Sequence, residues 1–83
     1  MFSAKSSRIW AENIRRYREI HMITQNELAR KVNRSTMAIS RYEEGTIPSP
    51  SVIDRIAKAF HIEIHELFVP PEQKAWPQRK VAL

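Results

Sequence analysis

The stretch Thr24–Gly45, TQNELARKVNRSTMAISRYEEG, reads as two short helices joined by a tight turn. Thr24 is a good N-cap, and Glu27 three positions on completes a capping box. Leu28, Ala29 and Val32 then recur at helical spacing and give this helix one apolar stripe. Asn33 follows, a residue that tolerates a left-handed backbone and lets the chain turn sharply. Ser35 caps the next helix, expected over about 35–44, and Gly45 closes it. On that second helix Ala38, Ile39 and Tyr42 share an inner, apolar face. Thr36, Met37, Ser40 and Arg41 share the opposite one.

The outer face combines two hydroxyls, a thioether and a guanidinium with no carboxylate among them. Such a surface can hydrogen-bond base edges, touch a thymine methyl and fork onto a guanine. With caps, core positions and turn lengths all fixed together, the chain resembles the helix-turn-helix of the lambda repressor/Cro class, the XRE family. The residues that carry the resemblance are Thr24-Gln25, Glu27-Leu28-Ala29, Val32-Asn33, Ser35, Ile39-Ser40, Tyr42-Glu43 and Gly45, and it extends over residues 8–68. It implies an all-α, compact five-helix lambda-repressor-like domain with a short C-terminal tail. It also implies a sequence-specific regulator of double-stranded DNA, read here as a repressor. Such a protein binds an inverted-repeat operator as a homodimer, with the second helix of the motif in the major groove.

Charge supports a polyanionic partner. The formal net charge is +5, and residues 1–34 carry eight basic against three acidic side chains. Residues 35–69 carry three basic against five acidic, so the positive field sits on the first half of the chain. A basic first helix that merely solvates itself is the plainer alternative. The 83 residues suit one small domain. There is no cysteine, which excludes disulfides and thiolate metal sites and fits a reducing cytoplasm. No apolar run reaches the ~18–20 residues of a membrane span, and the first residues lack the apolar core of a secretory signal. The resemblance places the protein in the cytoplasm, bacterial or phage-encoded.

In chain order, residues 1–6 are expected to form an arm, 7–69 the DNA-binding domain and 70–83 a tail with mobile stretches. Helix 1 is expected from about Ser7 to His21, with Trp10, Ile14 and Tyr17 as its buried stripe. Arg8, Arg15 and Arg16 lie off that stripe. Arg18 adjoins it and matches a family position whose arginine pairs with a glutamate, here Glu43. The plainer reading is a solvated arginine. Met22 stands where the family has glycine, and it adopts positive φ only at a cost, so the helix 1–helix 2 connection is expected to depart from the usual form. Ile20 and Met22 then make either an exposed apolar patch or a contact with the tail.

For phosphate contacts the resemblance points to Thr24, Gln25, Ser35, Thr46 and Ser49. Arg34, at the turn, is the remaining candidate. Gln25 opens a helix, where free N–H groups and the dipole favour an anion. Ser49 followed by Pro50 is a strong helix-start signal, and Ile53, Ile56, Ala57 and Phe60 give that fourth helix a buried face. It is expected to end at His61, again a glycine position in the family. A fifth helix around Ile64–Phe68 then returns Leu67 and Phe68 to the core. Leu67, Phe68 and Trp76 are the candidates for contact between subunits.

A protein-interaction module that keeps this fold without touching DNA is the alternative function, and the basic first half argues against it. A regulatory protein partner is compatible with either. No nucleophile–base pair, paired acidic site or phosphate loop suggests an enzyme. No cofactor is indicated. His61 and His65, four apart, straddle an expected helix break with no completing ligand, so no metal site is assigned.

Overall fold

A computed structural model describes residues 3–76 of the chain. Its order is α1 (Ala4–Ile20), α2 (Gln25–Val32), α3 (Thr36–Tyr42) and α4 (Pro50–Ala59), then two 3₁₀ segments, Ile64–Phe68 and Pro71–Gln73. The fold is all-helical, with no strand among the described residues. It has four α-helices and not the expected five. The fifth is the 3₁₀ segment Ile64–Phe68, confined between the end of α4 and Pro70-Pro71. A five-residue segment with prolines after it has little room to complete α-helical turns.

Helix α1 starts three residues earlier than its periodicity suggests. Ser3 is extended (φ −81°, ψ 168°) and its hydroxyl accepts the Ser6 N–H at 3.2 Å, so residues 4–6 are helical and not part of an arm. Residues 1–2 and 77–83 of the expected arm and tail lie outside the described residues.

All four helices end the same way. In each, a residue of positive φ stands one to three positions past the helix, and two backbone bonds close the last turn. The outer bonds are Ile23 N–H to Arg18 O (3.2 Å), Arg34 N–H to Ala29 O (2.9 Å), Thr46 N–H to Arg41 O (3.0 Å) and Ile62 N–H to Ala57 O (3.0 Å), and the inner ones run from Met22, Asn33, Gly45 and His61 N–H to Glu19, Arg30, Tyr42 and Lys58 O. This is the Schellman arrangement. Only Gly45 (φ 119°) has the residue type that adopts such a backbone freely. Met22 (φ 56°), Asn33 (φ 56°) and His61 (φ 59°) do the same work with side chains. Met22 therefore keeps the turn that its side chain was expected to disturb. The strain is roughly 1–2 kcal/mol at a non-glycine residue. It is offset because Ile23, the next residue, packs on the core and its carbonyl accepts from Arg18 at 3.0 Å. Met22 itself is 68% exposed, while Ile20 is half-buried.

One core joins all the helices. Trp10, Ile14 and Tyr17 of α1 meet Leu28, Ala29 and Val32 of α2, Ile39 and Tyr42 of α3, and Val52, Ile53, Ile56, Ala57 and Phe60 in and after α4. Leu67 is completely buried among them. It therefore has no surface to offer a second subunit, which corrects its place among the interface candidates. Trp10 stacks on Phe68 (5.5 Å) and meets Tyr42 edge-on (6.4 Å). Trp76 turns the tail back on its own domain, its ring 4.8 Å from that of Tyr17 and its indole N–H donating to Pro71 O at 2.9 Å. The Lys74 ammonium lies against both rings, 4.3 Å from the centre of Tyr17 and 4.6 Å from that of Trp76, and donates to the Tyr17 hydroxyl and, at 2.6 Å, to Glu66 O. Burial there pushes Lys74 below the ordinary lysine range.

One buried polar residue closes the domain. Asn13 is completely buried, and its amide donates to Leu67 O (2.8 Å) and Val69 O (2.9 Å). It ties α1 to the end of the 3₁₀ segment, whose last carbonyls have no following helical turn to donate to them. In the sequence it is visible only as a polar residue three after Trp10 and four before Tyr17, on the buried stripe. Asn13→Ala takes the donor from one buried carbonyl, Leu67 O, and one partly buried carbonyl, Val69 O, and is expected to cost about 2–4 kcal/mol. Urea unfolding measures it, and a loss below ~1 kcal/mol would show that those carbonyls find other donors.

Candidate nucleic-acid interface

The surface formed by α2 and α3 is built from caps outward. Thr24 caps α2 by accepting the Glu27 N–H at 3.0 Å, and Glu27 returns the contact by accepting the Thr24 N–H at 2.8 Å. The Thr24 backbone N–H, and then its hydroxyl, hold the Glu27 carboxyl below its ordinary value. Ser35 caps α3 through the Ala38 N–H (3.1 Å). Ser49 occupies the N-cap of α4 in extended geometry but makes no capping bond, its hydroxyl meeting that of Ser51 at 3.2 Å. Arg55 of α4 donates to Val32 O (3.3 Å), which fastens the end of α2. Sequence patterning gave no sign of that contact.

Helix α3 then presents its outer face. Ile39 and Tyr42 are buried and Ala38 is half-buried, whereas Thr36 and Arg41 are exposed and Met37 is 65% exposed. Ser40 is only partly exposed. Around this face lie exposed Thr24, Arg34, Ser35, Thr46 and Ser49. Thr46 is held by its carbonyl, which accepts the Trp10 indole N–H at 3.0 Å. No side-chain hydrogen bond or ion pair holds Met37, Arg41 or Arg34 among the described residues.

The Arg18–Glu43 pair is present and tightly made. Arg18 Nε lies 2.6 Å from Glu43 Oε2 and Nη2 lies 3.2 Å from Oε1, a two-pronged contact with the side chains 17% and 7% exposed. The hydrogen bond to Glu43 holds the Arg18 guanidinium above its ordinary pKa. Gln25, expected as a phosphate clamp, instead donates its amide to Glu43 Oε1 at 3.2 Å. The side-chain amide expected to be free for a phosphate is therefore engaged within the protein. Asn26, not singled out by the sequence, accepts the Thr36 hydroxyl at 3.0 Å. Two adjacent residues of α2 therefore reach the two ends of α3. Among the described residues no group of three histidine, aspartate or glutamate side chains converges to hold a metal. No helix there is long and apolar enough to cross a membrane.

A short helix fixed against another, with a polar face turned outward and caps at the junction, defines a helix-turn-helix domain. The family model described as Helix-turn-helix matches residues 14–67, and the chain belongs to this family, of the Cro/C1 (XRE) type, whose members are DNA-binding transcription regulators. The chain is similar to an HTH-type transcriptional regulator of Methanocaldococcus jannaschii, 37% identical over 54 residues that span 64% of this chain and 82% of that protein. The crystal structure of the hypothetical transcription factor NHTF from Neisseria superposes with a TM-score of 0.76 at 26% identity, covering 82% of this chain and 79% of that one.

Two outcomes test the frame of the interface. Glu43→Ala leaves Arg18 largely buried without its carboxylate and is expected to cost about 3 kcal/mol. Replacing Arg18 and Glu43 together by apolar residues should cost much less, and a double-mutant cycle by denaturant unfolding measures the difference. A Glu43→Ala loss of only a few tenths would mean that water replaces the pair. The capping box has a pH signature. Because the folded-state pKa of Glu27 is lowered, its contribution is complete above its ordinary value of 4.5 and is lost as pH falls through the lower folded-state value. Glu27→Gln keeps an oxygen for the Thr24 N–H but does not titrate, so stability should fall less steeply in that acid range. An unchanged slope would count against the assignment.

Proposed function

We propose that this DNA-binding regulator is a sequence-specific repressor that binds an inverted-repeat operator as a homodimer, with α3 in the major groove. The observation that carries the reading is the outer face of α3. Thr36, Met37 and Arg41 stand exposed and free of carboxylates on a helix fastened at both ends, which is what reading base edges requires. Ser40 sits deeper and supports the face from its rim. Arg34, Ser35, Thr24, Thr46 and Ser49 flank it at helix ends, where phosphates are nearer than bases. Gln25 contributes there through its backbone N–H at the start of α2.

The second copy docks through the partly exposed Phe68 and Trp76, beside which the basic α1 keeps its charge for DNA. A dimer presents its two α3 helices to successive major grooves about 34–36 Å apart, so half-site centres lie roughly one turn of DNA apart. Control comes from protein concentration or from a regulatory protein partner, in the cytoplasm of a bacterial host or under phage control.

Selection of bound sites from random duplexes is the direct test. An inverted repeat with that spacing is the expected outcome, and a strict monomer on a single half-site at all usable concentrations contradicts the dimer. On the selected site, Arg41→Ala should relax preference at one base pair per half-site, a guanine contact contributing about 1–3 kcal/mol of discrimination. Arg34→Ala should weaken all sequences alike and lower the salt slope by roughly one unit per half-site. If Arg41→Ala kept the full preference and Arg34→Ala lost it, reader and clamp would be exchanged.

A further inference from the structure

The contact between Asn26 and Thr36 belongs to neither cap. Ser35, not Thr36, is the N-cap of α3, and the capping box of α2 is made by Thr24 and Glu27. Thr36 nevertheless sends its hydroxyl proton to Asn26 Oδ1 at 3.0 Å, although both side chains are exposed. The frame that holds them is independent of this bond. Leu28, Ala29 and Val32 of α2 and Ile39 and Tyr42 of α3 are buried in the common core. At the other end of α3, Glu43 is gripped by Arg18 and Gln25. The separation of Asn26 and Thr36 is therefore set by two fixed backbones and not by the drift of two surface side chains.

A threonine hydroxyl has one proton and two lone pairs. With the proton committed to Asn26, the oxygen offers an approaching group only lone pairs. We propose that Asn26 sets the hydrogen-bond polarity of Thr36, so that Thr36 reads a base amino group, N6 of adenine or N4 of cytosine. It correspondingly disfavours the acceptor edges, O4 of thymine and O6 or N7 of guanine. The proposal rests on the reading that α3 faces the major groove, and it adds a positioning residue and a direction of discrimination to it. Docking on DNA strengthens the arrangement. Once water is displaced, a Thr36 proton turned toward a base acceptor would leave Asn26 Oδ1 without a donor, and an unmet acceptor at a dry contact is costly.

The test uses the full chain on its selected site. Binding is measured with all four base pairs at each position, and with purine replacing adenine or 2-pyrimidinone replacing cytosine, which removes only the amino group. The wild type should lose roughly tenfold in affinity on that removal at one position per half-site. Thr36→Val should be indifferent to it. Asn26→Ala frees the hydroxyl to donate, so it should respond about twofold or less and should admit thymine or guanine at that position. Asn26→Asp keeps an oxygen acceptor, so it should retain the amino-group response while binding all sequences more weakly.

A uniform loss of affinity in Asn26→Ala with base preference unchanged would assign Asn26 a purely structural role and overturn the proposal. A wild-type preference for a base acceptor at the Thr36 position would reverse the polarity and also overturn it, while leaving α3 in the groove. No sequence preference at any position, by contrast, would remove the functional reading on which the proposal rests. Thermal unfolding of each variant accompanies the binding, and both positions being exposed, it should be close to that of the wild type.

Discussion

The two-pronged contact between Arg18 and Glu43 is the constraint on which the rest of the interface depends. Its guanidinium belongs to the last turn of α1, and its carboxylate belongs to the residue that ends α3. The same guanidinium donates to Ile23 O in the turn before α2, and the same carboxylate accepts from Gln25 at the start of α2. Three helices and one turn are thus fixed by a single pair of charges. Coulombic attraction alone would not make it stabilising, because removing two ions from water costs several kcal/mol apiece. What compensates is that the donors of Arg18 and the acceptors of Glu43 each find more than one partner. A buried pair satisfied in this way contributes orientation more than free energy, and orientation is what a seven-residue helix lacks by itself.

The terminations of the helices show the same economy. α2 and α3 are too short to persist in isolation, so their ends must be set by local bonds and by packing. Each is capped at its N-terminus by a hydroxyl and closed at its C-terminus by a Schellman turn. That three of the four turns use Met22, Asn33 and His61 shows that the closing bonds and the following apolar residue dictate the conformation. Ile23 and Ile62, each just past a turn, pack against the core and draw the chain into it. Residue type then modulates the strain and does not decide the path.

Much of this was legible from the residues. Thr24 with Glu27, Ser35, Asn33 and Gly45 are local signals, each acting over at most a few residues, and local signals survive in a sequence. The stripe Trp10, Ile14, Tyr17 and the inner face Ile39, Tyr42 are legible because helical period maps directly onto burial. What was not legible depends on meetings between distant parts of the chain. Asn13 reaches carbonyls more than fifty positions away, and Gln25 turns to Glu43 because the fold brings a carboxylate within reach of its amide. Leu67 was expected back on the core, but its complete burial, which leaves nothing over for a partner, depends on the packing of α1 and α4 around it. Lys74 and Trp76 sit in a stretch without periodicity, and the Tyr17 ring with the Glu66 and Pro71 carbonyls gives them a place.

The division of the α2–α3 surface into engaged and unengaged side chains follows from those distant meetings. A polar group whose hydrogen bonds are met inside the protein approaches DNA with its orientation, and sometimes its donor or acceptor sense, already chosen. One without a partner adapts on contact and contributes charge or reach. Gln25 and Thr36 are of the first kind, held by Glu43 and Asn26. Arg34 and Arg41 are of the second, since no side-chain bond restrains either guanidinium among the described residues. Ordering a long arginine on binding sacrifices rotamer freedom, so its contact must be strong to be selective, which suits a fork onto guanine or a phosphate. A threonine fixed in advance loses little on binding and can discriminate through a single hydrogen bond. The sequence can list the polar residues on this face, but their assignment to one kind or the other is a property of the folded pair of helices.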